Sequence, residues 1–101
     1  MWVRIARFEG ADTGSWDERI EEVRNRIREG GSGNGERPPV RWAMMCADRE
    51  AGKGAGLMFA DSEEDIRRID KFMNAMTPPS GAGSRTSVEI YEVVVNEQPG
   101  G

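Results

Sequence analysis

Four short segments of this chain have the apolar character of β-strands. In the first, Val3 and Ile5 fall on one face of the strand, and Trp2, Ala6 and Phe8 fall on the other. Because both faces carry apolar residues, we expect both to be at least partly covered. The predicted strands span residues 2–9, 40–47, 56–61 and 87–95.

Two further segments repeat apolar residues at spacings of three and four, which predicts amphipathic helices. Ser15 and Ser62 precede them at positions typical of helix N-caps. The first helix is expected to end at Gly30, and the second before Pro78. The stripe of the first is Trp16, Ile20, Val23 and Ile27, and that of the second is Ile66, Ile69, Met73 and Met76, with Phe72 at its edge.

Residues 30–39, which read GGSGNGERPP, contain four glycines and no apolar side chain, so they predict a flexible internal loop. The loop does not separate two domains, because the helix before it needs the following strands to bury its stripe. We therefore predict a single domain over residues 1–95 and a polar tail over residues 96–101.

The order strand, helix, strand, strand, helix, strand predicts an α+β, ferredoxin-like fold of the split β-α-β-β-α-β kind. It would have one four-stranded antiparallel sheet with both helices on one face. The other face would then lack a partner within the chain, although it would carry Trp2, Phe8, Trp42 and Met44 or their neighbours. An apolar sheet face of this kind predicts a homodimer through the sheet faces.

Composition excludes several classes of partner and cofactor. The chain has 14 Lys and Arg against 18 Asp and Glu, interleaved without a basic stripe, so neither nucleic acid nor a membrane surface is an expected partner. The N-terminus does not read as a signal peptide and no apolar stretch could span a bilayer, which predicts a cytoplasmic protein. The chain has no histidine and one cysteine, Cys46, expected to be buried. We predict no metal and no cofactor.

Four segments carry a resemblance to a known family: MWVRIARFEG at residues 1–10, DREAGK at 48–53, FADSEE at 59–64 and VEIYEVVV at 88–95. Through them the chain resembles the dimeric α+β-barrel proteins of the antibiotic biosynthesis monooxygenase superfamily, and is most similar to an uncharacterised bacterial branch. The resemblance implies a dimeric α+β barrel. Haem-degrading members use a helix-borne His, a strand Asn and a strand Trp; here there is no His, Phe59 stands where the Trp would fall, and Ala6 or Arg7 stands near the Asn position, so haem degradation is not implied.

A ligand site, if the chain has one, is expected in a cleft between the sheet and the second helix, lined by Arg7, Phe59, Phe72, Asn74 and Tyr91. Packing in a core is the commoner role for such apolar residues, and ion pairing is the commoner role for an arginine in a sheet. The facing of the first strand decides which arginine reaches the cleft. A shift of one residue would exchange Arg7 for Arg4.

Two functions follow. The favoured one is a non-catalytic dimeric module that binds a small apolar or aromatic ligand or a partner protein. The alternative, implied by the resemblance, is a cofactor-independent monooxygenase-like enzyme acting on a small aromatic or quinone-type substrate. Carboxylates or Tyr91 could act as acid or base, so the absence of histidine leaves open whether the chain is an enzyme.

Overall fold

The computed structural model describes residues 1–11, 14, 16–29, 39–76 and 83–100. Within these ranges the chain forms one four-stranded sheet, in the order β2-β3-β1-β4 with every neighbouring pair antiparallel, and two helices. This α+β arrangement is consistent with the predicted ferredoxin-like fold. The elements are β1 (Trp2–Glu9), α1 (Trp16–Arg28), β2 (Trp42–Asp48), β3 (Lys53–Ala60), α2 (Glu63–Asn74) and β4 (Ser84–Glu92).

The strand β1 lies inside the sheet, and its alternate residues face opposite sides. Arg4 is in register with Met58 of β3 and Ile90 of β4, and both of these pack against the buried core beneath α2. We call this side of the sheet the helix face. The opposite side, which carries Val3, is called the open face.

The core between the helix face and α2 is built on Ala60, Ile66 and Ile69, none of which is exposed to solvent. The predicted apolar stripe of α2 is thus confirmed at Ile66 and Ile69. The helix starts as expected, because the Ser62 Oγ accepts the Asp65 backbone N–H at 3.1 Å. Partly buried side chains complete the core: Trp2, Val40, Met58, Met73 and Ile90.

The helix α1 is attached mainly through its first turn. The Trp16 indole N–H donates to the Arg49 carbonyl at 3.1 Å, and the Trp16 ring lies 3.7 Å from where a Cβ would stand on Gly54, a helix-face position. The Arg19 guanidinium lies 4.4 Å from the centre of the Trp16 ring. The predicted stripe is only partly buried, since Ile27 near the C-terminal end is 42% exposed.

Three of the four strands differ in their bounds from those predicted: β2 spans Trp42–Asp48 rather than residues 40–47, β3 ends at Ala60 rather than at residue 61, and β4 begins at Ser84 rather than at residue 87. β3 begins at Lys53 rather than at residue 56, because Asp48 and Lys53 already pair and Gly52 closes the turn at φ +69°. β4 ends at Glu92 rather than at residue 95. The Val93 N–H still donates to the Met1 carbonyl, but the regular pairing with β1 ends at Trp2 and Glu92.

Cys46 is exposed in the single chain, contrary to the expectation that it is buried, because it lies on the open face of the edge strand β2. The predicted flexible loop lies outside the described residues, except for Pro39. Among the described residues, neither helix is long and apolar enough to cross a membrane.

Replacing Gly83 is expected to destabilise the fold. Gly83 has φ +82°, and a Cβ there would overlap the Glu9 carbonyl oxygen and stand 2.8 Å from the Ala11 nitrogen. Gly10 has φ +75°, but a Cβ there would meet nothing within 4 Å. Gly10→Ala should lower the free energy of unfolding by about 1 to 2 kcal/mol, and Gly83→Ala by roughly 2 kcal/mol more. Urea titration measures both, and equal losses would refute the overlap.

Candidate functional site

The five predicted site residues do not converge on one cleft. Phe59 and Tyr91 are both in register with Val3, and Arg7 is in register with Ala55 and Ser87, so these three side chains belong to the open face. Phe72 and Asn74 belong to α2, which packs on the other side. The expected facing of Arg7 is therefore wrong, and Arg4 takes the place under the helix. Whether any of the five binds a ligand stays a prediction.

Arg4 is the charged residue that β1 directs towards α2. Its side chain is 3% exposed, and its Nε donates to Asp70 Oδ1 at 2.9 Å. Asn74 lies one helical turn after Asp70 on the same side of α2, and its Oδ1 lies 3.4 Å from an Arg4 Nη. A guanidinium taken out of water needs a charged partner, and Asp70 supplies it.

A β-bulge brings a second arginine to the same place. Between β1 and β4 the register shifts after Arg7, so Phe8 pairs with Arg85 and leaves Thr86 as the extra residue. The shift turns Arg85 to the helix face, where it donates to Asn74 Oδ1 at 2.7 Å. Without the bulge, Arg85 would have followed the alternation of β4 to the open face.

These four residues, Arg4, Asp70, Asn74 and Arg85, are called the polar cluster. Asp70 accepts hydrogen bonds from Arg4 and from the Asn74 amide, and Asn74 Oδ1 accepts from both arginines. The cluster carries two positive charges and one negative charge, at the C-terminal end of α2, where the helix dipole favours cations. Because the Asp70 oxygens and Asn74 Oδ1 already accept hydrogen bonds within the chain, the geometry indicates that the polar cluster links α2 to the sheet.

The open face consists of four rows of side chains that run across the strands, each given in the order β2, β3, β1, β4. Row one is almost wholly aromatic, and polar character increases from there towards row four. Rows one and two are Trp42, Phe59, Val3, Tyr91 and Met44, Leu57, Ile5, Glu89. Rows three and four are Cys46, Ala55, Arg7, Ser87 and Asp48, Lys53, Glu9, Ser84.

The apolar end of the open face is exposed to solvent in the single chain. Trp42 is 64% exposed, Tyr91 is 53% exposed and Met44 is 42% exposed. Two ion pairs lie on the same face, both between neighbouring strands: Arg7 with Glu89 at 3.5 Å and Lys53 with Glu9 at 3.6 Å. Since each pair has one charge of each sign, the open face has no large field of one sign.

Comparisons with protein-family models, with curated proteins and with solved structures found no match to this chain. Within the described part of the chain, no three Cys, Asp or Glu residues are grouped so that they could hold a metal ion. The surface that stands out for function is therefore the open face, which sequence patterns identified as apolar but could not assign to particular residues.

Removing the carboxylate of Asp70 should be costly. Asp70→Asn would leave Arg4 buried without its counter-charge, and we expect a loss of about 3 kcal/mol, at the lower end for a buried pair because Asp70 is 27% exposed. Asp61→Asn is the matched control. Its pair with Arg41 is exposed on both sides, so its loss should be below about 1 kcal/mol. Similar unfolding free energies for the two variants would contradict the role given to Arg4.

Proposed function

We propose that this chain is a homodimeric module in which two copies pack through their open faces, forming a dimeric α+β barrel. The observation that carries the proposal is row one, where Trp42 lies beside Phe59, Tyr91 lies beyond Val3, and both Trp42 and Tyr91 are more than half exposed. A monomer that left this row in water would forgo roughly 25 cal/mol for every Å² of apolar surface that a partner could bury.

A second copy suits this face better than an unlike partner does. The face is self-complementary in charge, because each of its two ion pairs supplies both a cation and an anion to whatever covers it. An isologous interface places the same patch on both sides, so each apolar row can meet an apolar row and each charge can find its opposite. Val94 and Val95, which follow shortly after Tyr91, are also exposed, at 80% and 76%.

The ligand class that suits this module is small and apolar or aromatic. Aromatic rings and methionine side chains make adaptable walls for flat apolar molecules, and row one and Met44 supply both. The space between the helix face and α2 is less suitable, because the core described above fills it. The alternative, a monooxygenase-like enzyme, rests on the family resemblance alone.

A lysine on the open face should dissociate the dimer. Met44→Lys would place a charge within the proposed interface, and we expect a monomer in sedimentation velocity at micromolar concentration, where the wild-type chain is a dimer. Ile27→Lys is the matched control, because Ile27 is equally exposed at 42% but lies on α1. It should leave the dimer intact. A monomeric wild-type chain, or equal effects of the two lysines, would overturn the proposal.

Native mass spectrometry tests for the ligand. The purified chain is expected to give twice the chain mass, with an additional small mass that organic extraction removes. Trp42→Ala should lower the occupancy of that small mass, because it removes an aromatic wall, whereas Ile27→Ala should not. A dimer of bare chain mass that also fails to take up a flat aromatic probe such as 1-anilinonaphthalene-8-sulfonate would leave the module without its ligand.

A further inference from the structure

The open face is graded along the strands, and the grading restricts how two copies can meet. Row one is aromatic, and row four carries three charged residues, Asp48, Lys53 and Glu9. The strand order places β3 and β1 in the middle of the sheet, with β2 and β4 at its edges. The face is therefore uneven along the strands but has a clear centre line between β1 and β3.

Two kinds of two-fold axis can lie between stacked sheets. An axis that runs across the strands reverses their direction, and with full overlap it would place the aromatic row of one copy on the charged row of the other. An axis that runs along the strands keeps every row on its own row. Burying charge against aromatic surface carries a desolvation penalty that nothing repays, whereas matched rows avoid that penalty. Matched rows also agree with the small crossing angle of aligned sheet packing.

Resting on the proposed homodimer, we infer that its two-fold axis runs along the strands between β1 and β3, so that Lys53 of each copy pairs with Glu9 of the other. Such an axis exchanges β3 with β1 and β2 with β4. In row four it sets Lys53 opposite Glu9 of the second copy. In row one it sets Trp42 opposite Tyr91 of the second copy, which allows aromatic contact across the interface.

The same axis keeps the other ion pair within its own chain. In row three Arg7 falls opposite Ala55 of the second copy, and in row two Glu89 falls opposite Met44 of the second copy. Across the strands, Arg7 is then displaced by about two strand spacings, roughly 10 Å, from Glu89 of the second copy, in addition to the separation of the two sheets. The two pairs on the open face thus have different roles, and this difference gives the experiment its control.

Charge reversal separates pairing within a chain from pairing between chains. Lys53→Glu and Glu9→Lys each place like charges opposite one another in a homodimer, but a mixture of the two restores opposite charges only across the interface. Random pairing would make the mixed dimer half of all dimers. We expect native mass spectrometry to show a larger share, because the affinity of the mixed dimer should be on the order of threefold or more above that of either homodimer. Both side chains are more than half exposed, so the variants should fold.

The matched control is the mixture of Arg7→Glu with Glu89→Arg. The inferred axis leaves this pair within one chain, so the mixture should show no preference for the mixed dimer. A preference for this pair and none for the Lys53 and Glu9 pair would overturn the axis while leaving a dimer through the open faces in place. A wild-type chain that does not dimerise would overturn the proposed function itself.

A covalent cross-link between cysteines of the two copies provides a second test of which residues face each other. Cys46 is the only cysteine in the chain, and the inferred axis sets it opposite Ser87 of the second copy in row three. Ser87→Cys is expected to give a covalent dimer with a bis-maleimide that spans roughly 10 Å, the separation of packed sheets, and wild type should not, because the axis keeps the two Cys46 residues at distant edges. Covalent dimers from the wild-type chain, or none from Ser87→Cys together with no preference in the Lys53 and Glu9 mixture, would refute the axis.

Discussion

Arg4 brings a full positive charge into the interface between the sheet and α2, and the rest of the structure is arranged around that charge. Asp70 must lie within hydrogen-bond distance, which fixes how α2 is rotated over the sheet. Because side chains of a strand alternate, placing Arg4 under the helix also places Val3, Ile5 and Arg7 on the other side. The ion pair between Arg4 and Asp70 therefore accompanies one assignment of the two faces of β1, in which one face packs in the core and the other belongs to the open face.

Much of the fold follows from sequence patterns. The order of elements, the bounds of β1 and the buried stripe of α2 were all predictable, because periodicity reports them directly. The facing of β1 was not, since apolar residues occupy both its faces and the choice depends on Asp70, which is distant in sequence. The apolar stripe of α1 predicts burial along the whole helix, but the helix is attached mainly through Trp16, and Ile27 is left exposed in a single chain.

The candidate site was less predictable than the fold. Asn74 was recognised as a polar residue near the sheet, but its partner Arg85 was not, because only the bulge at Thr86 turns Arg85 towards the helix. A bulge leaves a weak sequence signal, and here the neighbouring residues are all polar. Phe59 and Tyr91 lie on the same face, since both pair with Val3, but that face is the open face and not the side of the sheet that α2 covers.

The sizes of the side chains on the two faces of β3 also favour a covered open face. An antiparallel sheet with one face in water directs its larger apolar residues towards the core and its polar residues outwards. β3 departs from this pattern over part of its length: Gly54 and Gly56 lie on the helix face and Leu57 and Phe59 on the open face, although Met58 packs against the core. The small residues leave room on the helix face, as the Trp16 ring against Gly54 shows. Large apolar residues on the side away from the helices favour a covered open face, and in the proposed homodimer a second copy of the same sheet forms that covering layer.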